Sequence, residues 1–305
     1  MRYAKAPLAI DDQAYRLLDR GLVCDDPERL KHYLAHIGYY RLSAYWLPFE
    51  HPSTQTNTRN HSFFPGTTFN QVLSLYIFDR KLRLLVMDAI ERIEVAIRTR
   101  WSGAMALRHG AHAQMNSSLF KNPWQHVRDL AKVVSDLEGS SETFVAHYRE
   151  RYTEPFLPPI WAVVETMSLG TLSRWFKNTQ DNQVKKEVMQ GLHMPTIEIL
   201  ESVLHALTPV RNICAHHGRL WNRRFAISLP DIKRLAPRMV HSSAPKHRAH
   251  HLFNFLVVIE FLMSTINPRG SWKSRLMELL GTVTENELRA MGFPEDWQTR
   301  EPWGG

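Results

Sequence analysis

The longest run of helical hydrophobic periodicity, residues 68–101, is the feature that most limits what this chain can fold into. Its large apolar side chains recur at spacings of three, four and seven, with charged residues between them. The apolar positions are Leu73, Ile77, Leu84, Leu85, Ile90, Ile93 and Ile97. Such a stretch predicts a long helix that packs against other helices. Alternating strand patterns recur too rarely for a sheet, so the sequence predicts an all-α fold, a helical bundle.

Shorter helices are predicted on both sides of this stretch. Asp26 suits the N-cap of a helix that starts at Pro27, and Gly21 suits the position after a preceding helix. Helices are predicted for residues 11–20, 26–36, 124–151, 181–190, 195–217 and 252–265, with another starting near Pro159. The aromatic residues 37–49 are predicted to form either a strand or an irregular buried segment. Residues 51–66, rich in Ser, Thr, Asn and Pro, are predicted to form a loop.

The charge balance favours a polyanionic partner. Lys and Arg number 38 against 30 Asp and Glu, which gives a formal net charge of +8 and a pI of about 9.6. Such a surface attracts nucleic acid or an anionic membrane face, and charge alone does not choose between them. The opening residues MRYAKAPLAIDDQ lack the apolar region of a signal peptide, and no apolar run is long enough to span a bilayer. We therefore expect a cytoplasmic protein with no membrane partner.

Residues 208–224, TPVRNICAHHGRLWNRR, carry the polar groups best suited to chemistry. Two local structures fit this segment. Either Thr208 caps a helix that starts at Pro209, or Pro209 kinks a longer helix that begins near Pro195. In both cases Gly218 suits the left-handed position after the helix end.

Three side chains of this segment form a set that RNA cleavage can use. Residues 211–217 are predicted to occupy about two helical turns, which places Asn212 and His216 on one face and Arg211 beside it. A base must take the proton of the 2′-OH, an acid must protonate the 5′-oxygen, and a cation must hold the phosphorane oxygens. Imidazole suits these proton transfers near neutral pH, and guanidinium binds phosphate through two hydrogen bonds. Spacing by itself favours a structural role, with His216 hydrogen-bonded in the bundle and Arg211 paired with a carboxylate.

Four separated segments together resemble one protein family. RNICAHHGRLWNR resembles the Arg-Asn-x-x-x-His signature of HEPN nucleases, in the form found in Abi (abortive-infection) proteins of the AbiD/AbiF group. Three further segments resemble the same family in the same order: IGYYRLSAYWLPF (37–49), LYIFDRKLRLLVMDAIERIEVAIRTR (75–100) and PPIWAVVETMSLGTLSRWF (158–176). The resemblance extends over roughly residues 5–265, and Arg211, Asn212 and His216 all match the signature.

The resemblance implies a fold and an activity. The fold would be an HEPN-like helical bundle with a small N-terminal extension. The activity would be that of a metal-independent endoribonuclease toxin in phage defence, with Arg211, Asn212 and His216 as catalytic residues, no cofactor, and RNA rather than DNA as substrate. HEPN nucleases usually pair two units around one cleft, and this chain has one signature, so a homodimer is expected. AbiF-like proteins are also associated with a small structured noncoding RNA, which is expected to control the activity.

Three regions are expected along the chain: an N-terminal Abi-specific region (1–60), an HEPN-like helical domain (61–266) and a C-terminal helical tail (267–305). Two other functions remain open. The protein can be a noncatalytic RNA-binding regulator that keeps the HEPN shell, or a structural module in which the signature packs a dimer. Salt-dependent RNA binding separates the structural module from the other two functions.

Several residues outside the signature are assigned expected roles. Candidates for RNA contact are His217, Arg219, Arg223, Arg224, Lys246 and Arg248. Trp221 is expected in the core rather than against a base. Glu91 and Glu94 are expected to pair with arginines of their own helix; the alternative is that one of them orients Arg211 or His216 across the bundle.

Two aromatic or histidine-rich clusters are expected to be structural or simply basic. Tyr39, Tyr40, Arg41, Tyr45 and Trp46 are predicted to plug the core rather than to stack on RNA. The histidines near residue 250 are expected to lie in a basic loop rather than a metal site, because lysine and arginine among them repel a cation. These histidines are His241, His247, His250 and His251. The two cysteines, Cys24 and Cys214, match no disulfide framework and no zinc spacing.

Overall fold

Helices are the regular elements of the protein in the part that the structure, a computed structural model, describes: residues 6–52, 59–241 and 250–304. The first seven are α1 (Ile10–Asp19), α2 (Pro27–Ile37), α3 (Tyr39–Trp46), α4 (Phe69–His109), α5 (Pro123–Glu138), α6 (Thr143–Arg151) and α7 (Ile160–Val163). The remaining six are α8 (Leu169–Asn178), α9 (Asn182–Gly191), α10 (Ile197–Ala215), α11 (Leu252–Ile266), α12 (Trp272–Leu280) and α13 (Glu285–Ala290). Strand-like pairing within these described ranges is limited to three isolated bridges. The all-α prediction is therefore confirmed.

The chain divides into two compact units, Met1–Lys81 and Leu82–Gly305. Helix α4 begins in the first unit and ends in the second. The three regions expected from the sequence, with boundaries at 60/61 and 266/267, stay a prediction. Among the residues that the structure describes, no helix combines the length and the apolar character needed to cross a membrane.

The ends of the first two helices follow the local signals in the sequence. The Asp26 side chain accepts a hydrogen bond from the Arg29 amide at 3.0 Å, so it caps α2, and Pro27 takes the first helical position. Gly21 follows the end of α1 with φ of +93°. These helices confirm the predictions for residues 11–20 and 26–36 to within a residue.

The prediction for residues 37–49 was wrong, because this segment is helical. Helix α3 is followed by a 3-10 turn over Leu47–Phe49. Tyr45 and Trp46 are buried, and the Tyr45 hydroxyl donates to Asp79 at 2.5 Å. Tyr40, by contrast, is 91% exposed. The aromatic plug is therefore made by one face of a helix, and Tyr40 is not part of it.

The core of the second unit is built on the continuation of α4 and on the apolar helix α11. Every third or fourth side chain of α4 is fully buried there: Val86, Ile90, Ile93, Ile97 and Trp101. Of the periodic apolar positions in the sequence, Ile90, Ile93 and Ile97 are among these, whereas Ile77 is 38% and Leu84 58% exposed, so the prediction that all seven pack in the core was wrong for these two. Helix α8 packs against α10 at Gly170, where an added Cβ would lie 3.1 Å from Thr208 Cγ2. The absence of a side chain at Gly170 therefore permits this close approach.

Two predicted helices are broken in the structure. Residues 124–151 form α5 and α6, with Gly139 as the C-cap of α5. The segment after Pro159 forms α7, a 3-10 turn over Val164–Thr166, and then α8, which Ser168 caps by accepting from the Thr171 amide. Glycine and serine disfavour continued helix at these breaks, and the apolar pattern alone did not register them.

Helix α10 decides between the two local structures considered for residues 208–224. It is one continuous helix that contains Pro209, and Thr196 is its N-cap. Thr208 is not a cap; its hydroxyl donates to the Leu204 carbonyl at 2.9 Å. The alternative with a longer helix that includes Pro209 is therefore correct.

Lys185 and His126 are among the polar side chains buried in the second unit. The fully buried Lys185 ammonium donates to Glu201 at 2.8 Å and to the Lys177 carbonyl at 2.6 Å, and burial lowers its pKa. The His126 ring stacks on Phe120 with centroids 3.7 Å apart, and burial lowers the pKa of its imidazole. In both groups burial disfavours the charged form, because that form is poorly solvated inside the protein.

Candidate active site

Helix α10 ends in a Schellman motif that fixes the backbone of His216 and His217. His216 is the C-cap residue. The Gly218 amide donates to the Ile213 carbonyl at 2.8 Å and the His217 amide to the Cys214 carbonyl at 3.2 Å. His217 has φ of +57°, so it takes the left-handed position, and the assignment of that position to Gly218 was wrong. The predicted helix also ends earlier than expected, before rather than after the two histidines.

The three predicted catalytic residues lie together at this helix end. Asn212 and His216 are exposed and one turn apart, with the His216 amide donating to the Asn212 carbonyl at 2.9 Å. Arg211 lies beside them with 26% of its side chain exposed. Val210 and Cys214 are buried on the opposite side of the turn. The buried pair fixes which way this last turn faces, so an amide, an imidazole and a guanidinium share one accessible patch.

A buried carboxylate lies behind Arg211. The Glu94 side chain, on α4, is 6% exposed, and its Oε2 atom is 3.6 Å from Arg211 Nε. Its Oε1 atom accepts from Arg98 Nη2 at 2.5 Å. Both contacts considered for Glu94 therefore exist: the ion pair within its own helix and the reach across to the signature. A buried carboxylate needs a countercharge, and this one contacts two.

Arg98 connects this carboxylate to the segment between α7 and α8. Its Nη1 atom donates to the Glu165 carbonyl at 3.2 Å and to Glu165 Oε2 at 3.3 Å, and its Nη2 atom also donates to the Met167 carbonyl at 2.5 Å. The arginine is 14% exposed. The sequence predicted that the glutamates of α4 pair with arginines of the same helix, as Glu94 does with Arg98. It did not predict the contacts of Arg98 with Glu165 and Met167. Both residues lie in the segment 158–176, whose resemblance to the family was the sequence feature that could have indicated a role for them.

The basic residues after the signature are presented by a segment that Trp221 anchors. Trp221 is buried, and its indole N–H donates to the Glu287 carbonyl at 3.1 Å, so the expected core position is confirmed. Arg223 and Arg224 are exposed, and Arg223 donates to the Arg219 carbonyl at 3.2 Å. The geometry leaves these guanidinium groups at the surface beside the helix end.

The histidine-rich loop is partly outside the described residues, which exclude 242–249. His247, Lys246 and Arg248 fall in this gap. At its far edge His250 Nδ1 lies 3.1 Å from the Phe225 carbonyl, and the Phe225 amide donates to the His250 carbonyl at 2.8 Å. Within residues 6–52, 59–241 and 250–304, no cluster of three or more His, Cys, Asp or Glu side chains is arranged to hold a metal ion.

The comparison with known families matches the region that carries this site. The model of the family described as Abi-like protein matches residues 32–222, which include Glu94, Arg98 and the predicted signature from Arg211 to His216. Arg223 and all later residues lie beyond the match. Neither a curated protein nor a solved structure matches the chain. Because the family model matches more than half of its length, the chain belongs to the Abi-like protein family.

Proposed function

We propose that this protein is a metal-independent endoribonuclease that acts as a toxin in phage defence. Membership of the Abi-like family associates the chain with abortive infection. The observation that carries the catalytic part is the grouping of Arg211, Asn212 and His216 on the exposed end of α10, with the Glu94 carboxylate behind the arginine. This patch offers a proton carrier and a cation at the same place, which phosphodiester cleavage in RNA requires.

In the proposed reaction the 2′-oxygen of a ribose attacks the adjacent phosphorus. A bond forms between that oxygen and phosphorus while the bond from phosphorus to the 5′-oxygen breaks. The 2′-OH proton goes to a neutral imidazole, and a protonated imidazole supplies a proton to the departing 5′-oxygen. The products are a 2′,3′-cyclic phosphate and a 5′-OH. Arg211 compensates the charge of the phosphorane, and Asn212 orients His216 or the phosphate.

Two copies of the chain would supply both imidazoles. One His216 can act as base while the His216 of a second copy acts as acid, if the two helix ends meet at a twofold axis. We therefore propose a homodimer in the cytoplasm, with a small structured noncoding RNA that controls the activity. A strict monomer in sedimentation, with and without RNA, would contradict the dimer.

The proposed RNA path runs over the basic residues next to the signature. His217, Arg219, Arg223 and Arg224 are described by the structure, and Lys246 and Arg248 lie in the gap at 242–249. Phosphate contacts of this kind weaken steeply with salt. Replacing Arg223 or Arg224 by alanine should weaken RNA binding for all sequences alike, and should lower the salt dependence by about one phosphate contact each.

The deciding experiment is an RNA cleavage assay with purified protein and mixed RNA, with and without bound noncoding RNA. His216→Ala should lower the rate by roughly a hundredfold or more, because a proton carrier is lost. Arg211→Ala should lower it to a similar extent, since the phosphorane charge is left uncompensated. Arg211→Lys should restore the rate incompletely, because an ammonium is not a planar fork. EDTA should not stop the reaction, and DNA should resist.

The second candidate function is noncatalytic RNA binding. Its support is that the same arginines would bind RNA whether or not cleavage follows. Equal cleavage by wild type and His216→Ala, or cleavage that needs magnesium, would refute the proposed mechanism. Salt-sensitive RNA binding without any cleavage would then favour the regulator.

A further inference from the structure

Both terminal nitrogens of the Arg98 guanidinium are used inside the protein. Its two terminal nitrogens contact four acceptors: two oxygens of Glu165, one of Glu94 and the Met167 carbonyl. Such a group has no donor on either terminal nitrogen left for a phosphate. Arg98 is therefore unsuited to bind substrate directly, although it lies one residue away, through Glu94, from the proposed phosphate-binding Arg211.

Two of the four acceptors are backbone carbonyls, of Glu165 and Met167, so they do not move with a side-chain rotamer. The backbone here is held by neighbours that are fully buried, Val164 and Met167. The 3-10 turn over Val164–Thr166 ends at Met167, its C-cap residue. Backbone carbonyls of the segment 158–176 thus fix the position of the Arg98 guanidinium. Arg98 in turn holds the Glu94 carboxylate in place through Oε1.

The Glu94 carboxylate is divided between two arginines. Its Oε1 atom is held by Arg98 at 2.5 Å, while its Oε2 atom is 3.6 Å from Arg211 Nε, beyond hydrogen-bond distance. Arg211 Nε has no hydrogen-bond partner among the described residues. Arg211 is therefore close enough to Glu94 for electrostatic attraction, but its Nε atom does not donate a hydrogen bond to the carboxylate.

We propose that Arg98 is a positioning residue that satisfies the Glu94 carboxylate and thereby leaves Arg211 available to phosphate. This proposal rests on the proposed ribonuclease function. A buried carboxylate that loses one partner draws on the other. Without Arg98, the Glu94 carboxylate draws Arg211 from the ion pair at 3.6 Å into a direct hydrogen bond, which turns the guanidinium away from the exposed patch.

The test is a double-mutant cycle measured by RNA cleavage. Arg98→Met should lower kcat by about a hundredfold, the scale expected when a catalytic group is displaced by about 1 Å. Glu94→Gln together with Arg98→Met should cleave nearly as fast as Glu94→Gln alone, because no carboxylate is then left to capture Arg211. A role confined to packing predicts that the two losses add instead, and addition would overturn the proposal.

Two controls keep the result interpretable. Arg108→Met removes an arginine of the same helix that pairs with Glu187, and it should leave cleavage unchanged. Arg98→Lys keeps the charge and should give a folded protein with an intermediate kcat, which covers the case in which Arg98→Met does not fold. Full activity of Arg98→Lys and of Arg98→Met would overturn the proposal.

A structural readout separates this proposal from the proposed function. In a crystal structure of Arg98→Met, Arg211 should donate directly to Glu94 at ordinary hydrogen-bond distance. That contact can be observed even if the wild type cleaves no RNA, in which case the ribonuclease function fails while the capture of Arg211 stands. An Arg211 side chain unmoved in the variant refutes the capture, whatever the activity.

Discussion

Replacing His217 by glycine tests the strained end of the signature helix. His217 occupies the left-handed position of a Schellman motif with φ of +57°. A residue with a Cβ is disfavoured there by roughly 1–2 kcal/mol, and glycine gives back about 0.5–1 kcal/mol through the greater freedom of the unfolded chain. We expect His217→Gly to raise the free energy of unfolding by about 0.5–1 kcal/mol, the difference between these two terms.

The fold supplies its own comparison for this change. Helices α1 and α13 end in the same motif with glycine in the left-handed position, Gly21 with φ of +93° and Gly292 with φ of +86°. Helix α9 ends in it with His193, at φ of +55°. His193→Gly is therefore the matched control, and it should stabilise the protein by a similar amount.

The assay is urea unfolding of wild type and both variants at one fixed pH. The pH matters because a protonated imidazole at a helix C-terminus interacts with the helix dipole by about 0.3–1 kcal/mol. RNA binding should fall for His217→Gly and stay unchanged for His193→Gly. If His217→Gly destabilises the protein, the side-chain contacts of His217 outweigh the backbone strain and the reasoning is refuted.

Three further changes address the interior of the second unit. Because burial lowers the pKa of the His126 imidazole, the unfolded chain takes up the proton first, so stability should fall as the pH drops below about 6.5; a leucine at this position should flatten that dependence in urea titrations at several pH values. Lys185→Met alone should destabilise by about 3–5 kcal/mol and the pair Lys185→Met with Glu201→Leu by much less, measured by denaturant unfolding. Gly170→Ala should cost roughly 1–3 kcal/mol through overpacking against Thr208, and Thr208→Ser should relieve it; additive effects would show that the contact at 3.1 Å is not the cause.

The parts of the fold that the sequence predicted are those with local causes. Asp26 and Pro27 fix the start of α2, and the periodic apolar residues predict most of α4. The segment 37–49 was predicted wrongly because aromatic residues favour strands on average. In the structure, burial of Tyr45 and Trp46 in the core stabilises a helix there. Tertiary packing outweighs propensity in such a case.

The candidate site shows the same division. Spacing placed Asn212 and His216 on one patch, because four residues make one turn. The contacts from Arg98 to Glu165 and Met167 join positions 67 and 69 residues apart, and no local pattern indicates them. Contacts between residues so far apart in the sequence depend on how the helices pack, so they can be identified only from the structure.

Pro209 weakens the backbone hydrogen bonding between the end of α10, which carries the signature, and the rest of that helix. Proline has no amide hydrogen, so α10 lacks the backbone hydrogen bond that residue 209 would donate, about two turns before the C-cap residue His216. The Thr208 hydroxyl, bonded to the Leu204 carbonyl, lies at the same level. The residues after Pro209, which include Arg211, are therefore joined to the first part of α10 by one backbone hydrogen bond fewer than in an uninterrupted helix, and local opening there should cost less free energy. Amide hydrogen exchange should show this as a step in protection along a single continuous helix.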